Sequence, residues 1–143
     1  MIFTVEQCEQ ALTEHDLDTL EQQLGKVFPP AYREHFLQYN GGYLSEEWME
    51  RGRLGFGGFN EIRYGKVPAE QLYADLLECF PELEYLFPFA YDQGGNSFLI
   101  SLREGTDYGE IYIWMMDEKE LAPVADSFEH FWWRLKTEID DSE

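Results

Sequence analysis

Three histidines, His15, His35 and His130, are the side chains best suited to acid–base chemistry near neutral pH. Each lies on or beside a predicted amphipathic helix, and none has another histidine or a cysteine at the spacing of metal ligands. The chain contains no G-x-S-x-G nucleophile motif, and no cysteine is set among basic residues. The sequence therefore predicts no catalytic residue.

Three further segments have the composition of ligand-binding loops but not their pattern. Residues 55–58 (GFGG) lack the Lys-Ser/Thr ending and the strand-to-helix frame of a phosphate loop. The oxygen-rich residues 14–18 and 92–96 do not place ligands at the alternate positions of a calcium loop. We expect a helix cap in the first of these two and a tight turn with positive-φ glycines in the second. The sequence therefore predicts no metal and no cofactor.

Composition restricts the partners further. The chain has 143 residues, of which 44% are hydrophobic and 17% aromatic, and this suffices for one folded domain over residues 1–143. Its 29 acidic residues against 10 Lys and Arg give a net charge of −19, spread along the whole chain. A body this negative repels phosphate backbones and anionic lipids, so we expect neither nucleic-acid nor membrane binding.

The sequence also predicts the cellular location of the protein and the redox state of its two cysteines. No apolar run approaches the roughly 20 residues of a membrane helix, and the N-terminus has no basic residue typical of a secretory signal. We therefore expect a cytoplasmic protein. Cys8 and Cys79 have no metal-type spacing, and we expect both to be reduced and mostly buried.

The first half of the chain has helical spacing. Thr4 and Gln7 have the form of a capping box that opens a helix over residues 4–12. Asp16 is the expected cap of a second helix, which Gly25 ends. Two more helices are predicted from prolines at their starts, over residues 30–39 and 68–79.

The second half is predicted to contain strands and a last helix. An antiparallel hairpin is expected from residues 98–102 and 111–114. A third strand is expected over residues 121–124, and we place it at the edge of the sheet because it contains a proline. The glycine-rich residues 51–65 are expected to form short strands or a loop over the core. Asp126 or Ser127 caps the terminal helix. The pattern predicts an α+β fold, with N-terminal helices packed on an antiparallel sheet and a C-terminal helix.

Residues 42–50, 91–92 and 114–120 form three segments that mix aromatic and acidic residues. This composition suits contact with a basic protein, because a ring fills a pocket while carboxylates meet Lys and Arg. The candidate partner-binding residues are Glu46, Glu47, Trp48, Tyr91, Asp92, Asp117, Glu118 and Glu120. Trp48 is equally compatible with a core position. For Trp114, in the third segment, a core position is favoured.

Ordered motifs across nearly the whole chain resemble those of the SMI1/KNR4 (SUKH) superfamily. The first block runs from Leu24-Gly25 through Phe28-Pro29-Pro30 and Tyr32 to Asn40-Gly41-Gly42. The later blocks are residues 87–98 with their D-x-G-G-N turn, residues 111–114, and residues 125–131 at the start of the last helix. Phe28 stands where the family usually has Leu, and residues 51–65 match no motif.

The resemblance implies a non-enzymatic α+β binding domain. Many bacterial members resemble immunity proteins, which neutralise a cognate toxin by direct binding, and such toxins are often nucleases. Nuclease domains tend to be basic because they hold phosphate, which agrees with the charge of −19. Two alternatives are a regulatory adaptor that binds a cellular enzyme, as in eukaryotic relatives with cell-wall signalling roles, and an enzyme or small-ligand binder with a pocket at His35 or His130.

Overall fold

The chain forms the predicted α+β fold. The computed structural model describes residues 5–105 and 107–139. The helices in this part are α1 (Glu14–Leu24), α2 (Pro30–Gln38), α3 (Glu46–Arg51), α4 (Ala69–Cys79) and α5 (Phe128–Thr137). The strands are β1 (Val5–Glu6), β2 (Tyr43–Leu44), β3 (Phe56–Phe59), β4 (Leu86–Asp92), β5 (Ser97–Ser101), β6 (Ile111–Met115) and β7 (Glu120–Ala125).

Strands β3 to β7 form one antiparallel sheet in chain order. The predicted hairpin is confirmed, because β5 pairs with β6 and Phe98 lies opposite Ile113. Strand β7 lies at the edge as predicted, where the missing N–H of Pro123 is tolerated. Strands β1 and β2 form a second sheet, and a bridge between Gly42 and Phe59 connects it to β3.

Aromatic rings from α2 and α5 fill the space over one face of the large sheet. Tyr32 is fully buried, and its ring centroid lies 4.6 Å from that of Phe28 and 4.6 Å from that of Phe36. The Phe128 ring of α5 meets Tyr32 edge-on at 5.6 Å. Such aromatic pairs contribute about 0.5–1.5 kcal/mol each beyond the burial of their area. This cluster fixes both helices on the sheet.

The opposite face of the sheet carries a smaller apolar cluster under α4. It consists of Leu76, Leu83, Leu86, Leu99 and Trp114. Side chains alternate between the two faces of a strand. Leu99 and Trp114 therefore point away from the aromatic cluster, whereas residues next to them in β5 and β6 point toward it. Trp114 is only 3% exposed, which confirms the favoured core interpretation.

Helix ends follow the local sequence closely, with one shift. The N-cap of α1 is Thr13 and not Asp16, because the Asp16 N–H donates to Thr13 Oγ1 while Asp16 Oδ2 accepts from the Thr13 N–H. Gly25 ends α1 with φ of 67°, as predicted. Of the two predicted caps of α5, Ser127 is the one used, and its Oγ accepts from the His130 N–H at 3.0 Å.

The segment after α2 is held by a buried asparagine. The side-chain amide of Asn40 donates to the carbonyl oxygens of Gln10 and Ile62, at 2.9 and 3.0 Å. Its Oδ1 accepts from the Ile62 N–H at 2.7 Å. The predicted stop signal at Asn40-Gly41-Gly42 therefore also fixes two loops to the end of the helix, while Gly41 and Gly42 adopt positive φ.

The predicted N-terminal helix is wrong. Val5 and Glu6 form a strand that pairs with Leu44 and Tyr43, and Gln7 has φ of 59°, which a right-handed helix does not contain. Pairing with β2 buries Val5, a gain that the capping-box spacing does not reveal. The predicted cap residue, Thr4, lies outside the described residues.

Helix α3 and strand β4 are among the elements that were not predicted from the sequence. Helix α3 has only 6 residues, too few to show a helical period, and the Ser45 hydroxyl caps it by accepting from the Trp48 N–H at 3.4 Å. Strand β4 lies inside the sheet although it contains Pro88. Its pairing with β5 shifts register between Pro88 and Ala90, and this irregularity accommodates a residue without an N–H.

The two cysteines are free, as predicted, but the prediction that they are buried is wrong. Cys8 lies exposed just after the positive-φ residue that ends β1, and Cys79 is the exposed last residue of α4. Within residues 5–105 and 107–139, no helix has the length and apolar character needed to cross a membrane.

Candidate protein-binding surface

The candidate acidic residues come from three separate segments. Glu46 and Glu47 lie exposed in the first turn of α3, where carboxylates interact favourably with the helix dipole. Tyr91 and Asp92 end β4 and are half-buried. The remaining three, Asp117, Glu118 and Glu120, are exposed between β6 and β7 or at the start of β7.

The β4–β5 turn connects these segments physically. The Gln93 N–H donates to the Gly55 carbonyl at 2.8 Å, and its side-chain amide donates to the carbonyl oxygens of Met49 in α3 and Phe56 in β3. On the other side of the turn, Asn96 Oδ1 accepts from the Met116 N–H at 2.9 Å. The three segments therefore meet at one end of the large sheet. We call the surface formed by α3, residues 92–96 and residues 116–120 the acidic end.

Asp92 uses its carboxylate within the chain. Its Oδ1 accepts from the N–H groups of Gly94 and Asn96, at 3.0 and 2.7 Å, and its Oδ2 accepts from the Asn96 side chain at 3.0 Å. Gly95 completes the turn with φ of 89°, while Gly94 does not share the positive φ that we expected of both glycines. The D-x-G-G-N motif thus holds the turn that connects the segments.

Trp48 belongs to the core, which is one of the two positions that the sequence left open for it. It is 8% exposed, and its indole Nε1 donates to the Leu135 carbonyl of α5 at 2.9 Å. Together with Met49 and Leu54 it lines a narrow gap between α3, β3 and α5. Trp48 therefore fixes the position of α3, and its two acidic neighbours in the helix carry the exposed surface.

Four arginines elsewhere in the chain are paired with acids. These ion pairs are Arg33 with Glu14, Asp18 and Glu21, Arg63 with Asp16, Arg103 with Asp107, and Arg134 with Glu138. At the acidic end, Arg51 lies 3.6 Å from Glu47. Among residues 5–105 and 107–139, no ion pair involves the carboxylates of Glu46, Glu50, Asp117, Glu118 or Glu120.

A shallow groove runs between α3 and the β4–β5 turn. Its volume is about 430 Å³, and its lining residues are Glu46, Met49, Glu50, Gly52, Gly55 and Gln93. Two carboxylates, an amide and one flexible apolar side chain suit contact with a long basic side chain, whose stem is apolar and whose head is charged. Sequence patterning did not single out Glu50 or Gln93, because their roles depend on where α3 packs.

The histidines occupy three different environments. His35 is 8% exposed among aromatic rings, and burial lowers its pKa to about 3. His130 Nδ1 accepts from the Asp126 N–H at 3.2 Å, and its side chain borders a depression of about 170 Å³ with Glu110 and Asp126. His15 is exposed on α1.

Within the described part of the chain, no group of three or more His, Cys, Asp or Glu residues is arranged to hold a metal ion.

Tyr91 has a neighbour that sequence patterning missed. Its ring lies beside that of Tyr43 over Gly58, and burial together with the neighbouring Tyr43 phenol raises the pKa of Tyr91 to about 12. A Cβ at Gly58 would lie 2.5 Å from Tyr91 Oη, and one at Gly57 would lie 2.8 Å from the Tyr91 ring. Gly57 and Gly58 therefore leave space for the Tyr91 ring to pack against the backbone of β3. Two consecutive glycines between the phenylalanines of this strand are the sequence signal for that contact.

Comparison with known families supports the resemblance seen in the sequence. The family model described as SMI1 / KNR4 family (SUKH-1) matches residues 11–132, which is most of the chain. A search of curated proteins finds no match.

Proposed function

The chain belongs to the SMI1/KNR4 (SUKH-1) family, and we propose that it is an immunity protein that neutralises a basic bacterial toxin by direct binding. The binding surface in this proposal is the acidic end, and the toxin is a nuclease domain. Family membership supports the general role, since the family is in general one of non-catalytic binding domains.

The carboxylates without an ion pair at the acidic end are the observation that carries the proposal. Arg33, Arg63, Arg103 and Arg134 are engaged by acids outside this surface, so they do not neutralise it. The acidic end also carries Arg51 and Lys119, but its acids outnumber them. A surface with such an excess of negative charge attracts a positively charged partner, which accelerates association and selects against partners of like charge. A nuclease domain must hold a polyanion and therefore presents such a basic surface.

The arrangement also suits occlusion of a nucleic-acid site. The side chains of Gln93 and Asn96 in the β4–β5 turn hydrogen-bond to backbone groups of both neighbouring segments, so the acidic side chains are carried on a connected framework. Pre-organised charges lose less conformational entropy on binding than charges on a mobile tail. A surface of this kind can cover the basic cleft of a nuclease and exclude its substrate by charge and by volume.

The test is binding to toxin domains encoded beside the gene. We expect a complex whose affinity falls at least about tenfold between about 0.05 M and about 0.5 M salt, because the Debye length shortens several-fold over that range. The same toxin domain should lose its nuclease activity in the presence of the protein. Absent binding, or an affinity indifferent to salt, contradicts the proposal. Recovery of a housekeeping enzyme as the partner, with no toxin bound, favours a regulatory adaptor instead.

A further inference from the structure

Two tyrosines lie side by side on the face of the sheet that points away from the aromatic core. Tyr91 faces Gly58 in the pairing of β3 with β4, and Tyr43 belongs to the adjoining strand β2. A Cβ at Gly58 would lie 2.5 Å from Tyr91 Oη and 3.0 Å from Tyr43 Cδ1. The absence of a side chain at this one position therefore lets both rings lie against the strand.

This tyrosine pair is open to solvent. Tyr43 is 44% exposed and Tyr91 is half-buried. Both rings lie against the backbone of Gly58, which holds them in place before any partner arrives. An ordered, partly exposed aromatic pair loses little conformational freedom on binding, which is typical of residues that anchor an interface.

Two carboxylates lie near the pair. Glu61 is close enough to Tyr91 to raise its pKa, and Glu6 lies opposite Tyr43 in the pairing of β1 with β2. Glu61 is half-buried, and burial together with Glu9 and Glu70 raises its pKa. Within residues 5–105 and 107–139, Glu61 and Glu6 take part in no ion pair. A cation placed here would relieve this excess of negative charge.

We propose that Tyr43, Tyr91 and Glu61 form a seat for an arginine side chain of a basic protein partner. A guanidinium stacks on aromatic rings and donates to carboxylate and phenol oxygens at the same time, which the compact ammonium of lysine does less well. Tyr91 directly precedes Asp92 of the acidic end along β4, so the arginine seat and the acidic end are neighbours in the chain. The seat thus rests on the proposed function and adds the chemical identity of one contact.

The seat can be tested without the toxin. We would titrate the protein with hexa-arginine and, separately, with hexa-lysine, and follow the backbone amide and tyrosine ring resonances by NMR. We expect hexa-arginine to bind more tightly than hexa-lysine and to shift the signals of Gly57, Gly58, Tyr43 and Tyr91. Substitution Tyr43→Ala should weaken hexa-arginine binding about two- to fivefold, the range of an exposed cation–π contact. Glu61→Gln should weaken it as well.

Tyr85→Ala is the matched control, because Tyr85 is also 44% exposed but already has Lys26 and Arg103 against its ring. It should leave hexa-arginine binding unchanged. Equal losses in Tyr43→Ala and Tyr85→Ala, or shifts confined to the acidic end, would overturn the seat. Because Tyr91→Phe removes only a hydroxyl, it tests the same contact should Tyr43→Ala fail to fold.

The seat and the proposed function fail in different ways. If hexa-arginine binds at the tyrosine pair while no neighbouring toxin domain binds the protein, the seat stands and the immunity role fails. If a toxin domain binds, and Tyr43→Ala changes neither its affinity nor that of hexa-arginine, the immunity role stands and the seat is wrong.

Discussion

Lowering the pH should destabilise this protein through one buried histidine, His35. Its ring lies 4.5 Å from that of Phe59 and 4.9 Å from that of Trp132, measured between centroids, and Phe36 and Phe128 close the remaining sides at 4.9 and 5.1 Å. Its Nε2 has no hydrogen-bond partner in the described part of the chain. A charged imidazolium in this position would be poorly solvated, which explains the low pKa.

The sign and size of the effect follow from the pKa difference. Burial lowers the pKa of His35 from 6.5 to about 3 in the folded protein. The unfolded chain therefore binds a proton as the pH falls below 6.5, whereas the folded protein binds it only near pH 3. The stabilisation by the neutral imidazole is fully present above pH 6.5, and it is lost as the pH falls from 6.5 to about 3. At pH of about 4.5 the loss is about 3 kcal/mol, since each pKa unit corresponds to about 1.4 kcal/mol.

The assay compares urea unfolding of the wild type and of His35→Phe at neutral pH and at a pH of about 4.5. Both proteins share every other titrating group, so the change in their stability difference isolates His35. We expect the difference to move by about 2–3 kcal/mol in favour of His35→Phe on acidification. A stability difference that is the same at both pH values would refute the buried, neutral imidazole.

Three further substitutions test the packing that supports the surface. Asn40→Asp should cost about 2–4 kcal/mol in the free energy of unfolding, because a carboxylate cannot donate to the two carbonyl oxygens that the amide serves; urea unfolding that matches the wild type would contradict this. Trp48→Phe should cost about 1–2 kcal/mol by leaving the Leu135 carbonyl without its donor; an unchanged midpoint of thermal unfolding would show that the bond contributes nothing. Gly58→Ala should displace the Tyr91 ring and lower its pKa toward the ordinary value, as followed by ultraviolet titration of the phenol; a titration curve like that of the wild type would exclude the predicted clash.

Helix limits were predictable where the backbone itself restricts the chain. Gly25 adopts the left-handed conformation that ends α1, and Pro30 is the first residue of α2. The Thr4–Gln7 spacing misled because a capping box can match by chance over four positions. The box that forms is Thr13–Asp16, and the earlier segment instead pairs with β2, a contact that no local pattern reports.

The segments that form the acidic end could be predicted from the sequence, but their arrangement in space could not. Mixed aromatic and acidic composition indicated a binding role for α3, the end of β4 and the β6–β7 connection. The inward position of Trp48 depends on Leu135, which lies 87 residues away, and the internal use of Asp92 depends on how its turn closes. Tyr43 was missed as a partner of Tyr91 because their contact needs the glycine backbone of β3 between them.

The affinity of charge-neutralised variants for the toxin domain tests the central claim most directly. Glu→Gln at positions 46, 47 and 50 removes three charges of the acidic end, and Glu→Gln at positions 34, 78 and 82 removes three exposed charges elsewhere. We predict that the first variant weakens binding about tenfold or more at low salt, while the second weakens it by less than about twofold. Equal weakening by both variants, or none by the first, would contradict an interface formed by the acidic end.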